Sequence, residues 1–414
     1  MIRTRLADLK HLIYAVLALL ILVALGEVGL RIYDSYTGQI TRSDIYDQGI
    51  VHRSWTTHHA LKPSETQQSP TVGETPGVTV RINSLGLRGD EIVVPKPPGV
   101  YRIVCLGDER TLATEVPEEE TFAGQLEALL QQYTRQRVEV VNAGVPGYCP
   151  LLSYLQVKHQ LAALQADVFV MNFDMSDVAD DYHYRRLTAM SRDGLPLNCT
   201  HPKLMPTPDT GASPDCELLL LLQWGKRTAS ELVADNIGDG EADNISVATG
   251  RYAWLKDDPP DWSPYIEQSM EPLKQLKNLT RGLYADLLVA AGPVPWQICP
   301  TASGGEVLRD EIGVPVGTLC ASRRPFQMLD DYCRQETMTL CDTSPAFQAA
   351  EDPDTLFQVE TLGYSREGHR LYARELAKRI LRNSAGIWER PASSSNSQPE
   401  PEATTHRAPR SLPQ

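Results

Sequence analysis

The sequence has no CxxC pair and no local Cys/His cluster, so nothing in it points to a zinc site. It has no internal repeat, which excludes a solenoid or propeller built from stacked units. Positive charge is scarce: 39 Lys and Arg stand against 53 Asp and Glu, a formal net charge of -14. A surface of that sign repels nucleic acid phosphates and anionic headgroups, so no nucleic acid partner is expected. No histidine occurs between His201 and His369, which limits where a catalytic base can come from. No cofactor or metal is assigned. Asp174, Asp177, Asp180 and Asp181, with Asp108 and Glu109, could gather around a hard cation through oxygen ligands, but the run reads first as a solvated loop.

With 414 residues and 42% apolar content, the chain can bury a substantial core. Residues 1–11 carry Arg3, Arg5 and Lys10, and Leu12 opens an uncharged apolar run to Gly26, broken at Glu27 and resumed to Leu30. The stretch 12–31 approaches the ~20 residues that span a bilayer, and the cationic flank places the N-terminus in the cytoplasm. It is read as a signal-anchor, with a cleaved signal peptide at Ala24-Leu25-Gly26 as the competitor. Either reading puts the rest of the chain outside the cytoplasm, periplasmic or otherwise extracytoplasmic, a compartment that suits eight cysteines. Cys199 and Cys216 bracket a Pro-rich loop and are the favoured disulfide; Cys105 lies in an apolar strand and reads as a buried thiol. Residues 385–414, rich in Ser, Pro and charge, read as a disordered tail.

Residues 32–76 are polar and turn-rich and read as a stalk. From Tyr101 the pattern alternates short apolar runs with amphipathic stretches: YRIVCLGD, VEVVNAG, DVFVMNFD, ADLLVAAGPVP and MTLCD as strands, separated by helices. Such alternation implies βαβ units, hence a flavodoxin-like three-layer α/β/α domain over 77–384 with a five-stranded parallel sheet. A stretch at about 178–262 is too long for a βα connection and reads as an inserted loop or lid. Ligands in such sheets sit beyond the carboxyl ends of the strands.

The residues at those strand ends resemble the SGNH (GDSL-type) hydrolase superfamily. In that family the first strand ends in GDS, whose Ser is the nucleophile; here Leu106-Gly107-Asp108 is followed by Glu109. Upstream, Asn83-Ser84-Leu85-Gly86-Leu87-Arg88 is similar to the NxxGxR segment that precedes GDS in exported members. The block Asn142-Ala143-Gly144-Val145-Pro146-Gly147-Tyr148 matches the second family block, and the resemblance puts Gly144 at the oxyanion-hole glycine. The third block, normally GxND, reads Asp174-Met175-Ser176-Asp177, so Ser176 stands for the oxyanion Asn. In the last block, normally DxxH, Glu360 holds the acid position and Gly363 the base position. His369 falls in the Gly-His pair that opens the final helix, from which a displaced base would have to come.

Loss of the nucleophile and base removes most of a triad's rate enhancement. Three readings follow: a degenerate domain that binds a glycan or acylated cell-envelope polymer; an active ester hydrolase with a displaced set, Ser176 or Glu109 with His369; and an interaction protein of an envelope assembly. Trp224, Trp254, Trp262 and Trp296 could stack on sugar rings or form the insertion's own small core.

Overall fold

The computed structural model describes residues 14, 16–18, 21–29, 49–69, 77–173, 176–205, 263–300, 317–320, 323–358, 361–383 and 387–388. Asp174, Glu360, Cys216, Trp224, Trp254, Trp262, most of the insertion and the tail from 391 lie outside them. Residues 16–18 and 21–29 are helical, and Leu17, Ile21, Leu22 and Leu25 expose half or more of their surface. Among the described residues no helix is long and apolar enough to cross a membrane.

In chain order the elements are β1 (Val51–Arg53), β2 (His59–Leu61), β3 (Thr66–Gln68), β4 (Thr79–Arg81), β5 (Val100–Leu106), α1 (Glu109–Leu112), α2 (Phe122–Leu130), β6 (Arg137–Asn142), α3 (Pro150–His159), β7 (Val168–Phe173) and α4 (Asp177–Arg185). They continue with β8 (Thr188–Met190), β9 (Pro196–Cys199), α5 (Ser263–Gly282), β10 (Asp286–Ala291), α6 (Arg324–Gln335), β11 (Thr339–Asp342), α7 (Ser344–Gln348) and α8 (Arg366–Asn383). Five strands form one parallel sheet in the order β11-β10-β7-β5-β6. In terms of the five predicted strands this is 2-1-3-4-5, the flavodoxin-like order.

Period-two alternation sends side chains to two cores. From β5, Val104 and Leu106 join the core under α3 and α5, while Tyr101, Ile103 and Cys105 join the core under α2 and α8. On β7, Phe169 and Met171 go to the first face and Val168 and Val170 to the second. Both faces are covered, so the central strands β5 and β7 are mainly apolar and buried along their whole length. β6 is an edge strand, and the carboxylate of Glu127 on α2 accepts the N–H of Val140 at 2.8 Å.

Three expectations need correction. The stalk reading fails for residues 49–69: Ile50 and Leu61 are in the core, β1 pairs with β2, and β3 pairs with β4. Its polar composition hid this, because the buried polar groups there are hydrogen-bonded, as in His58 N–H to the Cys199 carbonyl. Cys199 is a free, buried thiol whose neighbour is the Tyr184 carbonyl, so it forms no disulfide. Trp296 is fully buried in the main core and unavailable to a ligand. Cys105 is a buried thiol, as expected, and burial pushes its pKa up.

The buried Arg102 on β5 donates to Glu139 at 2.7 and 2.9 Å, to the Leu164 carbonyl at 2.7 Å and to the Val93 carbonyl at 3.0 Å. Arg102→Met leaves these acceptors without the donor and should cost about 3 to 5 kcal/mol. Arg81→Met, which breaks an exposed pair with Asp90, should cost under about 1 kcal/mol. Urea unfolding of both variants measures the difference.

Candidate functional site

The first site element is the turn after β5. Gly107 has φ +146°, and a Cβ there would stand 2.4 Å from Thr111 Oγ1 and 3.2 Å from Asn172 Cβ, so the tight turn requires glycine. Asp108 caps α1 by accepting the Arg110 N–H at 3.0 Å, and Ala113 ends the helix in the left-handed region. That short helix presents Glu109, half-buried, at the carboxyl end of β5.

The NxxGxR segment holds this turn from outside. Asn83 Oδ1 accepts the N–H groups of Leu85 at 2.9 Å and Leu87 at 3.1 Å, with Gly86 at φ +72°. The buried Arg88 guanidinium then donates to the carbonyls of Leu112 and Ala113, and to that of Val116 at 2.6 Å. Burial lowers its pKa to about 10, opposed by Glu118, Glu115 and Glu119, so it stays charged at neutral pH.

Gly144 and Gly147 have different roles. The Gly144 N–H donates to Asn142 Oδ1 at 3.0 Å, and a Cβ on Gly144 would stand 2.3 Å from Leu112 N. Gly144 therefore allows the β6 loop to approach α1, and its N–H is engaged within its own loop. The N–H turned toward residue 109 is that of Gly147, which donates to Glu109 Oε2 at 2.9 Å. An N–H at the strand end, the kind of donor an acyl-transfer site aims at a developing oxyanion, is here bonded to a carboxylate.

Ser176 is fully buried at the start of α4, where its carbonyl accepts the N–H groups of Ala179 and Asp180. Asp181 forms a two-point pair with Arg185 at 2.8 and 3.2 Å, and burial raises its pKa to about 6 against that pairing. Among the described residues no His, Cys, Asp or Glu group is arranged to hold a metal ion.

The final loop brings Gly363 near Glu115: a Cβ on Gly363 would lie 3.6 Å from Glu115 Cδ. Burial raises the Glu115 pKa, its own backbone N–H opposes this, and nearby Glu109 adds to it. The next residue, Tyr364, reaches into the strand ends. A Cβ on Gly292 would lie 2.0 Å from the Tyr364 hydroxyl, and the Arg110 guanidinium sits 5.5 Å from the Tyr364 ring centroid. Arg110 also donates to the Pro293 carbonyl at 3.3 Å. These two side chains leave a cavity of about 20 Å³ among Asp108, Asn172, Gly292 and Tyr372. A groove of about 900 Å³ opens alongside, bordered by Arg81, Glu115, Glu118, Asn142, Ser365 and Arg366.

His369 lies in the interior, its ring centroid 5.7 Å from that of Tyr364. It is 1% exposed, its Nδ1 accepts the Phe122 N–H at 3.2 Å, and burial lowers its pKa to about 3. In this buried, neutral ring, packed against Phe122, Nδ1 already accepts a backbone N–H, which counts against the role of displaced base at that atom.

Histidines gather instead around His59, whose charge interacts with that of Glu109; His58 and His59 come from the supposed stalk. The His59 Nε2 must donate to the Pro146 carbonyl at 2.7 Å, which leaves Nδ1 to accept from His58 Nδ1 at 3.0 Å. The His58 ring lies 4.5 Å from that of His201 and 6.4 Å from that of His183. Burial lowers His58 to about 3 and His59 to about 4, the neighbouring rings assist, and Glu109 partly opposes at His59. Sequence reading missed this cluster because its members are spread from 58 to 201; the adjacent pair His58-His59 was the available signal.

These depressed values set a pH dependence. The unfolded chain takes up protons below about pH 6.5, whereas the folded rings resist until about pH 4 and 3, so stability present above pH 6.5 is lost as pH falls. His369→Leu should flatten the dependence of unfolding free energy by about 1.4 kcal/mol per pH unit between pH 6 and 4. Urea titrations at pH 6, 5 and 4 read this slope.

No protein-family model and no curated protein matches the chain. Among solved structures, one similar protein is a catalytic mutant of an acetylxylan esterase from Geobacillus stearothermophilus, 14% identical, TM-score 0.35, covering 68% of this chain and 94% of that one. Another is the lipase/acylhydrolase from Enterococcus faecalis, 11% identical, TM-score 0.36, covering 68% and 95%. The strand order and the motif positions at the strand ends resemble the SGNH hydrolase superfamily.

Proposed function

We propose that the chain is a membrane-anchored, extracytoplasmic SGNH-like protein that binds a cell-envelope glycan or an acylated envelope ligand without hydrolysing it. The bond from Gly147 N–H to Glu109 Oε2 carries this reading. A carboxylate at the nucleophile position is a weak nucleophile toward esters, and here it is itself held by a backbone N–H at the strand end. At the base position stands Gly363, which has no side chain to accept a proton. The anchor rests on the apolar run from residue 12 and its cationic flank, and the ligand class rests on analogy with the SGNH family. The open groove beside Glu115 offers room for a polymer that the strand-end cavity does not.

A second reading, an interaction protein of an envelope assembly, is favoured by one observation: Arg110 and Tyr364 fill the strand-end cavity to about 20 Å³.

The test is hydrolysis of a short-chain p-nitrophenyl ester by the full chain in detergent, with serine-reactive fluorophosphonate labelling. The expected result is no turnover above background and no labelling. Glu109→Ser alone should stay unlabelled for lack of a base, whereas Glu109→Ser with Gly363→His should gain labelling. Turnover by the unaltered chain that disappears in Ser176→Ala would overturn the proposal.

A further inference from the structure

Against the overall acidity of the chain, one surface has the opposite character. The turn joining β1 and β2 exposes Trp55 at 59%, and the β8–β9 hairpin with the turn after it exposes Met190, Leu195, Leu197 and Met205 at 37 to 49%. The two pieces are joined: Thr200 Oγ1 donates to the Trp55 carbonyl at 2.8 Å, and Cys199 N–H to the Thr56 carbonyl at 2.9 Å. Below them, Lys158 and His159 at the end of α3 hold the Pro196 and Leu197 carbonyls, which fixes the hairpin against the helical layer.

The charge of these segments is also unusual. Residues 49–62 and 186–205 contain Arg53, Lys62, Arg186, Arg192 and Lys203, with Asp193 as their single acid, in a chain of net charge -14. Exposed Trp, Leu and Met flanked by cations are the composition of a surface that settles at the headgroup boundary of an anionic bilayer. The same segment begins where the link 32–48 ends, and that link reaches at most about 60 Å when fully extended.

We propose that this surface docks on the anionic lipid bilayer that carries the anchor, so that the domain lies against the membrane on its β8–β9 side. This rests on the reading of residues 12–31 as a membrane anchor. Cations near the surface are attracted where anionic lipid is present, and the apolar side chains add partial burial.

The experiment places the photo-crosslinker p-benzoyl-phenylalanine in the full chain in vesicles of phosphatidylethanolamine and phosphatidylglycerol. It replaces Trp55 or Leu197 in the patch, Leu17 in the anchor, or the exposed Gln132, which follows α2 on the opposite face of the sheet. Lipid adducts are read by mass spectrometry. Positions 17, 55 and 197 should yield lipid adducts and position 132 should not. With phosphatidylcholine vesicles, or with 0.5 M salt, the yield at 55 and 197 should drop several-fold while that at 17 holds. Lipid adducts at 17 but none at 197 would leave the anchor standing and overturn the docking. Adducts at 197 to another part of this chain or to a second copy would do the same. No lipid adduct at 17 would overturn the anchor and the docking with it.

Discussion

The buried guanidinium of Arg88 ties three carbonyls, those of Leu112, Ala113 and Val116, to a segment that precedes the first strand of the sheet. Without that tie the left-handed Ala113 turn would end α1 with unpaired carbonyls in the interior, at a cost comparable to losing several hydrogen bonds. The position of Glu109 depends on it, because Glu109 opens a single short turn whose far end Arg88 holds. Asn83 and Gly86 serve the same end one step further out, by folding the backbone so that Arg88 points inward. The segment before the sheet and the strand-end turn therefore form one cooperative unit.

Much of the fold was legible because both faces of the sheet are covered. β5 and β7 read as mainly apolar runs, buried along their whole length, and the helices between them are of the length that a parallel crossover demands. Residues 49–69 were not legible for the opposite reason. Their burial is achieved with His58 and His59, whose backbone N–H and ring Nε2 respectively find the carbonyls of Cys199 and Pro146, more than eighty positions away. No local pattern of polarity announces a partner at that distance.

The site was legible to a different degree at each strand end. Glu109 could be located from the Leu106-Gly107-Asp108 sequence, since a glycine and a helix cap in that order impose one turn geometry. Which glycine faces it could not, because Gly144 and Gly147 lie in the same loop and only the backbone path separates their N–H directions. Tyr364 escaped notice entirely. Its importance depends on Gly292, a residue on another strand end whose lack of a side chain admits the phenol.

The carboxylate of Glu127 on the N–H of Val140 has a consequence for how neighbouring copies behave. β6 borders the sheet, and an uncovered border offers a row of donors and acceptors to any extended chain that arrives. Here one donor of that row is already paired with a charged group, and the Asn142 end is bridged by Arg88. Neighbouring copies at high local density would meet a strand that is poorly suited to templating further pairing. The side chain thereby acts against sheet-to-sheet association.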